Sequence, residues 1–164
     1  MTVTGIEHGE SSFRLSSEDA VFEADQLLVA TGRTNNLADI GLETLGLDPR
    51  AENVETDERQ RAGERLWAIG DITGVGAFTH VSRYQAGVAV RDILGVPGPP
   101  ADYRALSRVI FTDPEVAAVG LTEARAREGG IEVRVGRADI ARSSRGWMHG
   151  RGNDGLVKLV ADAD

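Results

Sequence analysis

In residues 66–80, LWAIGDITGVGAFTH, an apolar run stops at Gly70-Asp71, a glycine-bearing loop follows, and a helical pattern then begins. A second run, Leu27, Leu28, Val29 and Ala30, stops in the same way at Thr31-Gly32. A continuous apolar run of this length predicts a strand covered on both faces, as in a parallel sheet flanked by helices. Ligands of open α/β sheets bind beyond the carboxyl ends of such strands. Glycine suits that place, because a backbone without Cβ can approach a ligand closely. Asp71 would offer two acceptor oxygens to a sugar-like diol. The helix that follows presents free N–H groups and about half a positive charge, worth roughly 0.3–1 kcal/mol to a nearby anion. A flavin fits this pattern. Its ribityl hydroxyls suit Asp71, and its pyrimidine edge gains negative charge on reduction.

Bulk properties narrow the field. The 164 residues allow one domain or two small ones, and 41% hydrophobic content is enough for a core. A net charge of -8 disfavours nonspecific nucleic-acid binding, which needs a cationic face. The absence of cysteine removes thiol nucleophiles, disulfides and thiolate metal sites from this chain. His8, His80 and His149 have no metal-ligand spacing, so no metal site is expected. No run approaches the roughly 18 apolar residues of a membrane span, and residues 1–10 have no secretory pattern. The expectation is a cytoplasmic protein with no membrane partner.

Three regions follow from the patterning. Alternation around Val3, Phe13 and Leu15, with HGESS as a turn, predicts a β-meander over residues 1–24. Residues 25–97 hold both apolar runs, a polar and solvated stretch at 52–64, and an amphipathic helix over 79–94. On that helix Val81, Tyr84 and Val88 share a strip beside Ala86, Val90 and Ile93. GVPGPP, residues 95–100, reads as a linker. Residues 98–164 then read as two strands turning at Asp113-Pro114, a helix capped by Thr122 and stopped at Gly129-Gly130, and the strands IEVRV and LVKLV around a glycine-rich loop. That is an α+β pattern in which one short helix leaves an apolar sheet face exposed. Plainer roles stand beside the functional ones: Gly70-Asp71 as a simple turn, Thr79 as a helix cap, His80 as a helix-end residue, Trp67 and Tyr84 as core, and Trp147 at an interface.

Five motifs occur in order: LLVATGRTNN, LWAIGD, AFTHVSRYQAG, VIFTDPEVAAVGLTE and GLVKLVAD. Together they resemble the pyridine nucleotide-disulfide oxidoreductases over nearly the whole chain, with FTHVSRYQAG closest to the mercuric-reductase-like branch. The resemblance implies an α/β FAD-binding (Rossmann-like) portion and an α+β dimerisation-domain portion. Residues 1–24 would end the NAD(P) domain, 25–97 would belong to the FAD domain, and 98–164 would begin the dimerisation domain and form a homodimer. Gly70 and Asp71 would bind the ribityl or diphosphate region of FAD. Ala77, Phe78, Thr79 and His80 would lie against the flavin, and Gly32 beside the nicotinamide nucleotide of NAD(P)H. Asn35 departs from the proline usual in relatives. The family's glycine-rich fingerprints, redox cysteines and C-terminal His/Glu pair are not among these 164 residues. The resemblance therefore implies a piece of a longer enzyme that passes electrons from NAD(P)H through FAD to a disulfide or another small acceptor. No catalytic residue is expected here, and the piece alone would lack competence. The alternative is a standalone flavin-binding or protein-interaction module.

Overall fold

The first strand of the computed structural model, β1 (Val3–His8), pairs antiparallel with β2 (Phe13–Ser17), which pairs with β3 (Val21–Ala24). Residues 2–163 are described. Ile6, Leu15 and Phe22 stand opposite one another and so share one face of this meander. On the other face Arg14 sits opposite Glu23 and pairs with it at 2.6 Å. Turns close at Gly9, whose N–H donates to the Ser12 carbonyl, and at Ser17, whose N–H and hydroxyl both donate to the Ala20 carbonyl. The meander belongs to a unit spanning Met1–Thr34, distinct from a second unit spanning Asn35–Asp164.

The apolar run at 27–30 overturns its expectation. It forms no strand, and Leu28 is 89% exposed. A strand exists only where a neighbour completes its hydrogen-bond ladder, and none of the described residues pairs with this run. Among the described residues every ladder is antiparallel.

The second unit opens with a core of Leu37, Leu42, Val54 and Ala68, against which Leu47, Ala62 and Ile72 pack. Leu42 is presented by a single 3-10 turn, Leu42–Leu45. The stretch 52–64 is not simply solvated. Val54 and Gln60 are buried, and β4 (Arg61–Gly63) pairs with β5 (Leu66–Trp67). The Asp57 carboxylate accepts the Arg59 and Arg61 N–H groups at 2.8 Å each, which fixes the turn into β4. The expected long strand at 66–70 is therefore only two residues, bounded by the positive φ of Arg65 and of Gly70.

Helix α1 (Thr79–Ile93) buries Val81, Gln85, Val88 and Ala89. Of the strip expected from spacing, Val81 and Val88 are buried and Tyr84 is not. Tyr84 is 42% exposed, as are Val90 and Ile93 to a greater degree. Gln85 takes the inward position, and Tyr84 lies at the edge, where its hydroxyl accepts the Asp102 N–H at 2.8 Å. Near the end of α1, Asp92 accepts both Arg61 (2.6 Å) and the half-buried Trp67 indole (2.8 Å). The Arg61 hydrogen bonds hold the Asp92 carboxyl below its usual value, against the opposing cost of desolvation.

Beyond residues 95–100, β6 (Ser107–Ile110) and β7 (Val116–Val119) form a hairpin whose turn contains a cis Asp113-Pro114 bond. Thr122 caps α2 (Glu123–Glu128), accepting the Arg125 N–H at 3.3 Å. Strand β8 (Val133–Asp139) pairs with β9 (Leu156–Asp162), and α3 (Ser144–His149) lies in the glycine-rich connection. Glu123 ties α2 to β9 through Lys158 at 2.7 Å and to its own helix through Arg127. A two-stranded ribbon with short helices cannot cover itself: Val135, Val157 and Leu159 are exposed, as is Trp147.

Candidate functional site

The turn after β5 has a backbone that glycine alone accommodates. Gly70 lies at φ 82°, ψ -155°, a region that other residues enter only at a cost of about 1–3 kcal/mol. Its N–H donates to the Gln85 side-chain oxygen at 2.6 Å, and its carbonyl accepts the Thr73 hydroxyl at 2.8 Å. Asp71–Thr73 then forms one 3-10 turn, closed by the Gly74 N–H on the Asp71 carbonyl at 3.1 Å. Asn53 packs so closely on Gly74 that a Cβ there would lie 2.6 Å from its Cγ. Asn53 is itself held by the Asn35 amide at 3.0 Å. The departure at Asn35 thus has a local role: its amide also reaches the Glu52 carbonyl at 2.9 Å, which proline could not do.

Helix α1 starts beside this turn. A Cβ on Gly70 would lie 3.5 Å from the Cβ of Ser82. Thr79 is not the cap. Phe78 holds the cap position in an extended conformation, makes no side-chain cap, and no acidic residue lies in the first turn. The start of α1 therefore has neither a capping bond from its own N-cap residue nor an acidic residue of its first turn to set against the positive end of its dipole. His80 stacks on Phe78 with centroids 5.3 Å apart. Its Nε2 lies 2.9 Å from the Ser107 carbonyl and 3.2 Å from the Ser107 hydroxyl. A carbonyl only accepts, so Nε2 carries the proton in this contact.

Gly70, Asp71 and residues 77–80 are thus on a turn and a helix start that pack together in the second unit. Gly32, at φ 129°, belongs to the first unit. Sequence reasoning missed Gln85, Tyr103 and Gln60. Gln85 had a readable signal: a polar residue four after Val81 and three before Val88, on the inward face. A hollow of about 550 Å3 elsewhere is lined by residues between Leu42 and Ala62 and contains none of the expected cofactor residues.

The sequence model described as pyridine nucleotide-disulphide oxidoreductase matches residues 1–86, more than half of the chain. The chain belongs to this family. Residues 106–164 match the family's dimerisation domain. A mercuric reductase from Staphylococcus aureus is 32% identical over 172 residues, covering 98% of this chain and 31% of that protein. A dihydrolipoyl dehydrogenase from Bacillus subtilis is also 32% identical, over 148 residues, 90% of this chain and 31% of that protein. Among solved structures, the HOCl-induced flavoprotein disulfide reductase RclA from Escherichia coli is 29% identical with a TM-score of 0.82, covering 98% of this chain and 38% of that one. LpdA from Mycobacterium tuberculosis shares the fold at a TM-score of 0.84, with 24% identity, over 99% of this chain and 36% of that one. The chain therefore spans about a third of the length of the relatives it matches. Its mixture of strands and helices is the α/β architecture of these flavoprotein reductases. Among the described residues, no helix is long and apolar enough to cross a membrane.

Proposed function

We propose that the chain supplies one wall of the FAD site in an FAD-dependent NAD(P)H oxidoreductase of the disulfide-reductase type. The observation that carries this reading is the glycine-only Gly70-Asp71 turn packed beside a helix start that has no side-chain cap and no acidic first-turn residue. Asp71 would hold the ribityl or diphosphate region of FAD. The backbone of residues 77–80 would lie against the pyrimidine edge, where the helix dipole favours negative charge. Gly32 would lie beside the nicotinamide nucleotide. Bound FAD would supply the two-electron carrier between NAD(P)H and the acceptor.

In the same reading, residues 1–24 end the NAD(P) domain, 25–97 belong to the FAD domain, and 98–164 form a homodimer interface in the cytoplasm. The motif FTHVSRYQAG favours a mercuric-reductase-like acceptor, while the relatives include mercuric reductases and dihydrolipoyl dehydrogenases at similar identity. The exposed Val135, Val157 and Leu159 on β8 and β9 favour a covering partner, and a second copy is the occupant the dimerisation match supports.

An FAD titration of the purified chain, followed by flavin fluorescence, tests this reading. Hydrogen bonds to a charged group are worth roughly 1.5–3 kcal/mol, so Asp71→Ala should weaken binding by about 10- to 100-fold. Equal binding by both proteins would remove Asp71 from the site. Binding by neither would show that this chain does not form the flavin wall by itself.

A further inference from the structure

We propose that Gln85 is the positioning residue of the Gly70-Asp71 turn, and that the Tyr103 hydroxyl fastens Gln85, so that residues 101–107 set the shape of the cofactor loop. This rests on the reading of that turn as flavin-binding.

The argument begins with valence. The Gln85 side chain is fully buried. The Gly70 N–H can only donate, so the amide oxygen of Gln85 must face it, at 2.6 Å. That orientation leaves two amide hydrogens, and both find acceptors: Thr73 Oγ1 at 2.9 Å and the Tyr103 hydroxyl at 3.0 Å. Thr73 in turn donates to the Gly70 carbonyl at 2.8 Å. Gln85 and Thr73 therefore close a ring of hydrogen bonds around both polar groups of Gly70, a residue with no side chain to hold itself.

The third bond of Gln85 leaves this ring and reaches the segment that follows the proline-rich stretch. Tyr103 also accepts the Gln60 amide at 2.8 Å, and its ring meets Tyr84 edge-on at 6.0 Å. The same segment is fastened at its surface by the Asp102 N–H to Tyr84, the Ala101 N–H to the Glu58 carbonyl, and His80 to Ser107. Tyr103 carries the polar attachment inward to the turn through Gln85. Gln60 is the weaker member, since its side-chain oxygen is buried with no partner among the described residues. Tyr103 lies three residues before the dimerisation match begins at residue 106, so the polar network of the turn reaches the segment that leads into it.

The test uses Gln85→Met, which conserves volume, and Tyr103→Phe, which removes one oxygen. Tyr84→Phe, which cuts only a surface attachment of the same segment, is the control. Hydrogen exchange of the Gly70 amide in the cofactor-free chain reads the turn directly, and flavin fluorescence reads FAD affinity. Losing the Gly70 bond should speed its exchange roughly tenfold in Gln85→Met, with a similar weakening of FAD binding. Tyr103→Phe should move both in the same direction by about threefold. Tyr84→Phe should leave both unchanged. Unchanged Gly70 exchange in Gln85→Met would overturn the proposal, as would equal effects of Tyr84→Phe and Tyr103→Phe. If the unsubstituted chain binds no FAD, the chain does not form the flavin wall by itself, while the exchange comparison still decides the positioning role.

Discussion

Gly70→Ala puts the shape of the Gly70-Asp71 turn to a quantitative test. At φ 82°, ψ -155° a Cβ is opposed by the backbone itself, at roughly 1–3 kcal/mol. Space is not the obstacle, since the nearest atom to that Cβ, on Ser82, would be 3.5 Å away. The turn could escape by rotating, but rotation would pull the Gly70 N–H from the buried Gln85 oxygen, at about 1–3 kcal/mol. The cheaper route wins, so the two costs do not add. Alanine also restricts the unfolded chain, which returns about 0.4–1 kcal/mol. The net destabilisation expected is about 1–2 kcal/mol. Gly136→Ala is the matched control. It lies on β8 outside the positive-φ region, with no atom within 4 Å of its Cβ. There only the unfolded-state term acts, and the variant should be stabilised by about 0.4–1 kcal/mol. The two variants should thus differ by about 2 kcal/mol, which at roughly 2 kcal/mol per molar urea separates their midpoints by about 1 M. Coincident midpoints in urea unfolding would refute the claim that this turn demands glycine.

Two further predictions concern packing and pH. In Gly146→Ala the new Cβ would strike the Ile140 carbonyl and sit 2.9 Å from the Ala141 Cα, both backbone atoms. A loss of about 3 kcal/mol or more in urea unfolding is expected, with amide protection lost over α3, and wild-type stability would disprove the contact. Acid should destabilise the second unit through Asp92 and Asp102. Arg61 lowers the Asp92 carboxyl below 3.8, and Arg104 lowers that of Asp102 to about 2. A carboxyl depressed by folding contributes stability above its unfolded value and loses it as pH falls through its folded value. The thermal midpoint should therefore hold above about pH 4 and fall towards about pH 2. Asp92 should dominate, because its side chain is 5% exposed while Arg104 is 91% exposed and solvent-screened. A profile unaltered by Asp92→Asn would contradict that ranking.

Much of this fold was written locally. The meander over residues 3–24, the helix from Thr79, the hairpin turn at Asp113-Pro114 and the Thr122 cap all depend on neighbours within a few residues. Alternation, helical spacing, proline and a capping hydroxyl act at that range, so they can be read without coordinates. The motif order was also sufficient to indicate the family, and it placed Gly70, Asp71 and residues 77–80 as the candidate wall.

Burial was not written there. Leu28 has the composition of a core strand and lies exposed, because a strand also needs a ladder from elsewhere. Gln60, in the most polar stretch, is buried, and on α1 Tyr84, expected in the core, lies at the edge while Gln85 is buried. The ring around Gly70 joins residues 70, 73 and 85, and Gln85 links it to Tyr103. Such a network forms only when folding brings distant donors and acceptors within about 3 Å and removes the water that would otherwise satisfy them. Local patterning set the meander, the helix from Thr79, the turn at Asp113-Pro114 and the Thr122 cap, and motif order indicated the family. The tertiary structure decided which polar groups lost their water, and hence which of them must hold one another.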